Sequence, residues 1–306
     1  MAESDTLIDA ESAAARIFRG AVRIQHVPTD NRGLAYGDGL FETMRGAGGV
    51  LPWWERHWQR LQYGAERLQF PLPPEAPARA EAEQLLAGGD GVVKLLLTRG
   101  SGGRGYMPPP HAEPVWILSR HPLPPPATAL VTVRWCRTRL SLQPALAGIK
   151  HCNRLEQVLA RAEVGSGELD GDGDGDGDGD SDGAASEGLM RSTDGDVVCA
   201  TAANVFVLNG DRWSTPLIDR CGVEGTMRAW LLEQVAVEQR RVSVEQVESA
   251  NAVVLVNAVR GILQVGRLGD RSWAPHPAVS ALCRTLASAH PAFTLPPSGP
   301  GPMELS

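Results

Sequence analysis

Apolar and polar residues alternate through "RIFRGAVRIQHVP" (16–28) at the two-residue period of a strand. "NRGLAYGDGLFETMRGAGGVLP" (31–52) continues with a glycine-rich turn, a second strand and a hairpin-like turn at Gly46–Gly49. From Trp54 the period lengthens. Trp54, Trp58, Leu61, Ala65 and Leu68 recur at three and four residues, which predicts a helix with one buried face. "PEAPARAEAEQLLAGG" reads as a second helix closed by glycines. "GVVKLLLTRG" and "EPVWILSR" are strands flanking the loop "GSGGRGYMPPPHA".

The prolines of "HPLPPPATA" exclude helix and central strand, so residues 122–129 read as an extended linker between two domains. Beyond it the pattern predicts a strand at "ALVTVRW" and a helix entered at Lys150 in "LAGIKHCNRLEQVLARAE" (146–163). Strands follow in "EGLMRSTDGDVVCATAANVFVLNG", then a helix from about Gly225 to Gln239. "NAVVLVNAVRGILQVG" adds strands, and a last helix runs from about Pro277 to Ala289. Mixed elements in two blocks predict an α+β chain of two domains, a small one over 17–121 and a large one over 130–290. A polar extension (1–16) and a Pro/Gly-rich tail (291–306) flank them.

At 306 residues and 42% hydrophobic content the chain is long and apolar enough to bury a sizeable core. No apolar run has the length of a membrane span, and the acidic start lacks the layout of a signal peptide, so a cytoplasmic address is expected. The net charge of −7 is local in origin: "DGDGDGDGDGDSDG" (170–183) holds seven aspartates, and the remainder is balanced. Neither nucleic acid nor an anionic membrane is therefore an expected partner. The repeat itself has nothing apolar to bury and reads as a disordered insertion. Asp176, Asp178, Asp180 and Glu187 fall at calcium-loop spacing, but Ser181 stands where that loop needs glycine, so no metal is expected. The cysteines (136, 152, 199, 221, 283) are odd in number and contain no C-x-x-C pair, which argues against disulfides and structural zinc.

Lys150 follows the small apolar residues Leu146, Ala147, Gly148 and Ile149. A lysine withdrawn from water there would have a lowered pKa, and its neutral amine could attack an aldehyde. Most lysines are solvated, and read alone the stretch is compatible with that as well.

"KHCNRLEQVLARAE" resembles the lysine-bearing segment of the pyridoxal-phosphate enzymes of fold type IV, the class IV aminotransferase family. "LAYGDGLFETMR", "HWQRL", "TRGSGGRGYMP", "TAANVFVLNG", "TPLIDRCGVEGTMR" and "NAVRGI" match in the same order, together spanning roughly residues 17 to 265. "KHCNRLEQ" with "RGSGGRGY" points to the family's lyases, which turn 4-amino-4-deoxychorismate into 4-aminobenzoate and pyruvate for folate synthesis. Branched-chain and D-amino-acid aminotransferases of the same fold are the alternative, and a scaffold that binds without catalysis is a second.

The resemblance implies a D-amino-acid aminotransferase-like fold, a homodimer, and an active site between the domains that holds pyridoxal 5'-phosphate and a small-molecule substrate. Lys150 would carry the cofactor and act as base and then acid. Arg60 would grip the phosphate with its guanidinium fork; read without the resemblance it is an exposed helix arginine. Gly225 and Thr226 would cradle the phosphate at a helix start, and Asn257 would reach it from a strand end; they read otherwise as a plain helix start and a turn residue. Arg99, Arg104 and Tyr106, on a loop that glycines allow to approach a ligand, would meet the substrate, with Tyr36 shaping the pocket; a solvated basic loop and a simple "YGDG" turn are the competing readings. The implied pattern places a glutamate against the pyridine nitrogen, five residues before Asn204. Here that position is Cys199, a departure that disfavours transamination more than elimination.

Overall fold

The structure, a computed structural model, describes residues 15–126, 130–165 and 185–293. The Gly-Asp repeat, nearly all of the N-terminal extension and most of the C-terminal tail lie outside the described residues. The chain divides into two compact units, the first running to Leu123 and including Gly148–Arg154, the second formed by Pro124–Ala147 and the chain from Leu155 onward. The segment carrying Lys150 thus belongs to the first unit, although it follows the proline-rich stretch.

The first unit is built on an antiparallel five-stranded sheet. Its elements are β1 (Ala15–Arg19), β2 (Val22–Ile24), α1 (Arg32–Tyr36), β3 (Gly39–Gly46), α2 (Trp54–Leu68), α3 (Glu75–Leu86), β4 (Gly91–Thr98) and β5 (Val115–His121), with strand order β2-β1-β5-β4-β3. β3 pairs with β4 along its whole length, from Gly39↔Thr98 to Gly46↔Gly91. Its even positions, Leu40, Glu42, Met44 and Gly46, are buried. α2 buries Trp54, His57, Trp58, Leu61, Gly64 and Ala65 and packs on β3, as the three-and-four spacing predicts. The contact is tight because Gly64 has no side chain: a Cβ there would lie 2.9 Å from the Leu40 methyl groups. The short helix α1, which the sequence pattern does not reveal, is held by its ends. The Asn31 side chain caps its start, and Gly37 closes it with a left-handed φ of 66°.

In the second unit β6 (Val131–Trp135), α4 (Leu155–Gly165), β7 (Glu187–Arg191), β8 (Val197–Ala200), β9 (Asn204–Asn209), β10 (Arg212–Pro216), α5 (Thr226–Gln234), β11 (Val237–Arg240), α6 (Val244–Glu248), β12 (Ala252–Asn257), β13 (Gly261–Leu268), β14 (Arg271–Ser272) and α7 (Pro277–Ala289) follow one another. The sheet order is β11-β10-β9-β12-β13-β6-β7-β8, with β14 added to β13. Three of its pairings are parallel: β10 with β11, β13 with β6, and β6 with β7. The apolar runs of β9 and β12 are buried almost throughout, and Val205, Val207, Val253 and Leu255 join one core cluster.

Two sequence expectations are corrected. The helix expected from Lys150 begins at Leu155 instead, because residues 150–152 are drawn into pairing with β3. The helix expected to reach Gln239 stops at Gln234, and Val237–Arg240 becomes an edge strand paired with β10. Valines at 235 and 237 favour that strand once a partner is alongside.

Gly188 in β7 lies where a Cβ would sit 2.4 Å from the buried Cys136 sulfur and 2.9 Å from Val164. Gly188→Val is expected to destabilise the protein by about 1–3 kcal/mol through overpacking. A urea unfolding curve with an unchanged midpoint would refute this.

Candidate active site

Lys150 sits on an extended segment stitched to β3. The Phe41 N–H donates to the Lys150 carbonyl (3.0 Å), the Cys152 N–H donates to the Gly39 carbonyl (2.9 Å), and His151 bridges to Leu40. Gly148, with φ at 85°, lets the chain turn into this pairing. The Lys150 amine lies 4.3 Å from the centre of the Phe41 ring. Burial pulls its pKa down to about 7; Arg60, Arg154 and Lys94 push the same way, and Glu42 opposes them. Near neutral pH a substantial share of this amine is therefore unprotonated, as attack on an aldehyde or removal of a proton requires.

Beside it stands a buried ionic cluster. Glu42 projects from the core face of β3, and His57 and Arg60 project from successive turns of α2. Arg60 donates to both Glu42 oxygens, Nε to Oε1 at 2.8 Å and Nη2 to Oε2. His57 Nδ1 lies 2.6 Å from Glu42 Oε2. Burial alone would raise the Glu42 pKa, yet the Arg60 charge and the hydrogen bonds from Arg60 and His57 hold it at about 2. An ionised carboxylate only accepts, so His57 carries its proton on Nδ1. Burial outweighs the attraction of Glu42 and keeps the His57 pKa below its ordinary value, so the ring is neutral. Its Nε2 is buried without a hydrogen-bond partner.

In the second unit the start of α5 supplies a different kind of group. The Gly225 N–H donates to Asn204 Oδ1 at 3.1 Å, and Asn204 in turn donates to the Val223 carbonyl at 2.8 Å. The next residue, Thr226, has a buried hydroxyl with no hydrogen-bond partner. An orphaned hydroxyl at the first turn of a nine-residue helix is well matched to a phosphate oxygen, as are the backbone N–H groups beside it. On this observation the residues present fit a phosphorylated cofactor. Asn257, at the end of β12, accepts from the Val259 and Arg260 N–H groups and donates to the Ala202 carbonyl, so its side chain organises the turn to β13.

Cys199 is buried on β8 among Cys136, Leu140, Ala160, Val164, Met190, Val198 and Ile218, an apolar setting. Glu187 does not take up the role of the absent carboxylate. Its Oε1 accepts from the Gly188 N–H, the Thr201 N–H and the Thr201 hydroxyl, which binds it to the loop after β8.

The expected substrate-facing residues divide sharply. Arg99 is buried, and its guanidinium is engaged by Asp38 (2.7 Å), the Gln69 carbonyl (2.8 Å) and the Leu68 carbonyl (2.7 Å), so it frames the fold and its fork faces no open space. Arg104 and Tyr106 are exposed on the following loop. Tyr36 meets the Tyr106 ring edge-on at 5.5 Å and accepts from the Gly105 N–H. The loop is held by Arg32, which sequence reasoning misses. Arg32 is 3% exposed and donates to Asp38, to the Gly105 carbonyl and to the Tyr106 carbonyl. Burial would raise the Asp38 pKa, but Arg99 and Arg32 together draw it below the usual value. Glu42 and His57 are missed as well. Both carry a readable signal, since each is an ionisable residue at a position where the strand or helix period demands an apolar one.

The chain belongs to the amino-transferase class IV family, whose model matches residues 39–268. Pyridoxal phosphate is the cofactor of that family. The protein is 32% identical over 254 residues to an aminodeoxychorismate lyase of Vibrio harveyi, covering 78% of this chain and 86% of the relative. The structure is similar to that of 4-amino-4-deoxychorismate lyase from Pseudomonas aeruginosa, with 39% identity, a TM-score of 0.77, and coverage of 89% of this chain and 98% of that one. It also shares its fold with a hypothetical aminotransferase from Mycobacterium tuberculosis solved in a PLP-bound form, at 19% identity, a TM-score of 0.71, and coverage of 90% and 98%. Among the described residues no helix is long and apolar enough to cross a membrane.

Asp38→Asn leaves two buried arginines without their shared anion and is expected to cost about 3 kcal/mol. It should also make the 100–107 loop a preferred site of limited proteolysis. Wild-type stability together with unchanged cleavage would count against the clamp.

Proposed function

We propose that this protein is a pyridoxal-phosphate-dependent lyase that converts 4-amino-4-deoxychorismate into 4-aminobenzoate and pyruvate, a step of folate biosynthesis. The observation that carries the reading is the half-buried Lys150 amine, set over the Phe41 ring and poised near neutrality, in a chain related to such lyases over most of its length. When bound, pyridoxal phosphate supplies an electron-accepting ring conjugated to the substrate amine. Arg60, and separately the start of α5 with Thr226, would be the groups that hold the phosphate, and Asn257 fixes the turn at its own strand end. Lys150 would accept the proton from the amine-bearing ring carbon of the substrate. The adjacent carbon–oxygen bond then breaks, and the oxygen leaves with the electron pair as enolpyruvate. Lys150 returns a proton, giving pyruvate, while the six-membered ring becomes aromatic. Atoms and electrons balance with no added oxidant.

Arg104 and Tyr106 meet the carboxylates of the substrate from the clamped loop. Cys199, a thiol in an apolar shell, would stand at the pyridine nitrogen. It supports a persistent negative charge on the ring less well than a carboxylate, which favours elimination over transamination. Cytoplasmic location and a homodimer complete the proposal. An exposed apolar stripe on α4 supports the dimer: Leu155, Val158 and Leu159 are 77%, 60% and 59% exposed at helical spacing. Leu155→Glu with Leu159→Glu should convert the dimer to a monomer in sedimentation. A wild-type chain that already sediments as a monomer would exclude it.

The central test is pyruvate release from 4-amino-4-deoxychorismate, together with borohydride trapping of the holoenzyme. Wild type should release pyruvate, Lys150→Ala should release none, and Cys199→Glu should keep or raise the rate. Trapped cofactor should reside on Lys150. A pyridoxamine product formed with D-alanine or L-leucine, and no pyruvate from 4-amino-4-deoxychorismate, would assign the protein to the aminotransferases.

A further inference from the structure

The Glu42–His57–Arg60 cluster gathers three ionisable groups in the interior of the first unit, and none of the steps above uses Glu42 or His57. Glu42 is 1% exposed and His57 is 2% exposed. A carboxylate so placed costs stability unless its partners satisfy it, and this one accepts from two directions. Arg60 approaches through a two-point contact that fixes the plane of the guanidinium. His57 approaches from one helical turn earlier and fixes the carboxylate. The same strand that carries Glu42 is hydrogen-bonded at Phe41 to the Lys150 carbonyl. One β-strand therefore sets the position of both the anion and the reactive amine.

We propose that Glu42, braced by neutral His57, is a positioning residue that aims the Arg60 guanidinium at the cofactor phosphate and counterbalances the cations gathered around the Lys150 amine. The proposal rests on the assignment of Lys150 and Arg60 to the cofactor. Four ionisable side chains besides Glu42 act on or face that amine: Arg60 and His57 from α2, Lys94 from β4, and Arg154 from its own segment. Three of them are cations and His57 is neutral, so Glu42 is the anion that offsets them. Without it the amine would lose its proton more readily, and free amine would be held at the cost of the proton needed for the second half of the reaction.

The test needs no catalysis. The full-length protein, freed of cofactor, is treated with formaldehyde and cyanoborohydride across a pH series, and methylation of Lys150 is followed by peptide mass spectrometry. The wild-type midpoint is expected near 7. Glu42→Gln should lower it by about one pH unit, because the stabilising anion is gone. Arg60→Gln should raise it, because a repelling cation is gone. General loosening of the fold would move both variants toward the ordinary lysine value. Two upward shifts, or none, would therefore overturn the proposal, whereas opposite shifts establish it. As a second readout, Glu42→Gln should weaken binding of pyridoxal phosphate by about tenfold and that of pyridoxal much less; equal losses would show that Glu42 does not act through the phosphate. If borohydride trapping in the wild type finds no cofactor on Lys150 while the methylation midpoints still shift oppositely, the cofactor assignment fails and the charge balance stands.

Discussion

An amine serves as base and nucleophile near neutral pH when burial or neighbouring cations lower its pKa, and meeting that requirement shapes the first unit. Lys150 is placed by backbone pairing to β3, which leaves its side chain over the Phe41 ring. Cations nearby lower its pKa further, yet they would repel one another without an anion. Glu42 is that anion, and it is tolerated in the interior because Arg60 and His57 satisfy it. The strand, the helix facing it and the lysine segment thus form one electrostatic arrangement that packing alone does not explain.

The second unit answers a different requirement. The N–H groups at the start of α5 are donors of the kind a phosphate oxygen accepts from. Asn204, the first residue of β9, ties that strand to the residue just before the helix. A Cβ on Gly225 would fall 2.1 Å from the Asn204 oxygen, so glycine is the residue that permits the tie. The Thr226 hydroxyl has no hydrogen-bond partner within the protein.

Much of this is legible in the residues, for physical reasons that also explain the failures. The helix at Trp54–Leu68 announces itself because one face is buried along its whole length, and the spacing of Trp54, Trp58, Leu61 and Ala65 records it. The motifs bearing Lys150, Arg60 and Thr226 lead to the family. The conformation at Lys150 is not legible, since its pairing partners Gly39 and Phe41 lie far away in the chain. Helical spacing downstream of Leu155 extends backwards on paper but not in the fold. Arg99 is similar in kind. Its glycine-rich setting suggests a ligand loop, while the acceptors that claim it, Asp38 and two carbonyls at the end of α2, are distant in sequence. Glu42 and His57 escape notice because an ionisable residue inside an apolar period is easily taken for noise. Such an exception to the period is itself the mark of a working interior.

The tautomer of His57 carries a consequence of its own. Its unshared ring nitrogen is enclosed, and adding a proton there would set a third positive centre beside Arg60 and Lys150. Burial, with the neighbouring cations, therefore keeps this ring neutral to a lower pH than an ordinary imidazole. The amine beside it does titrate near 7, so the cluster responds to pH through the lysine rather than through the imidazole.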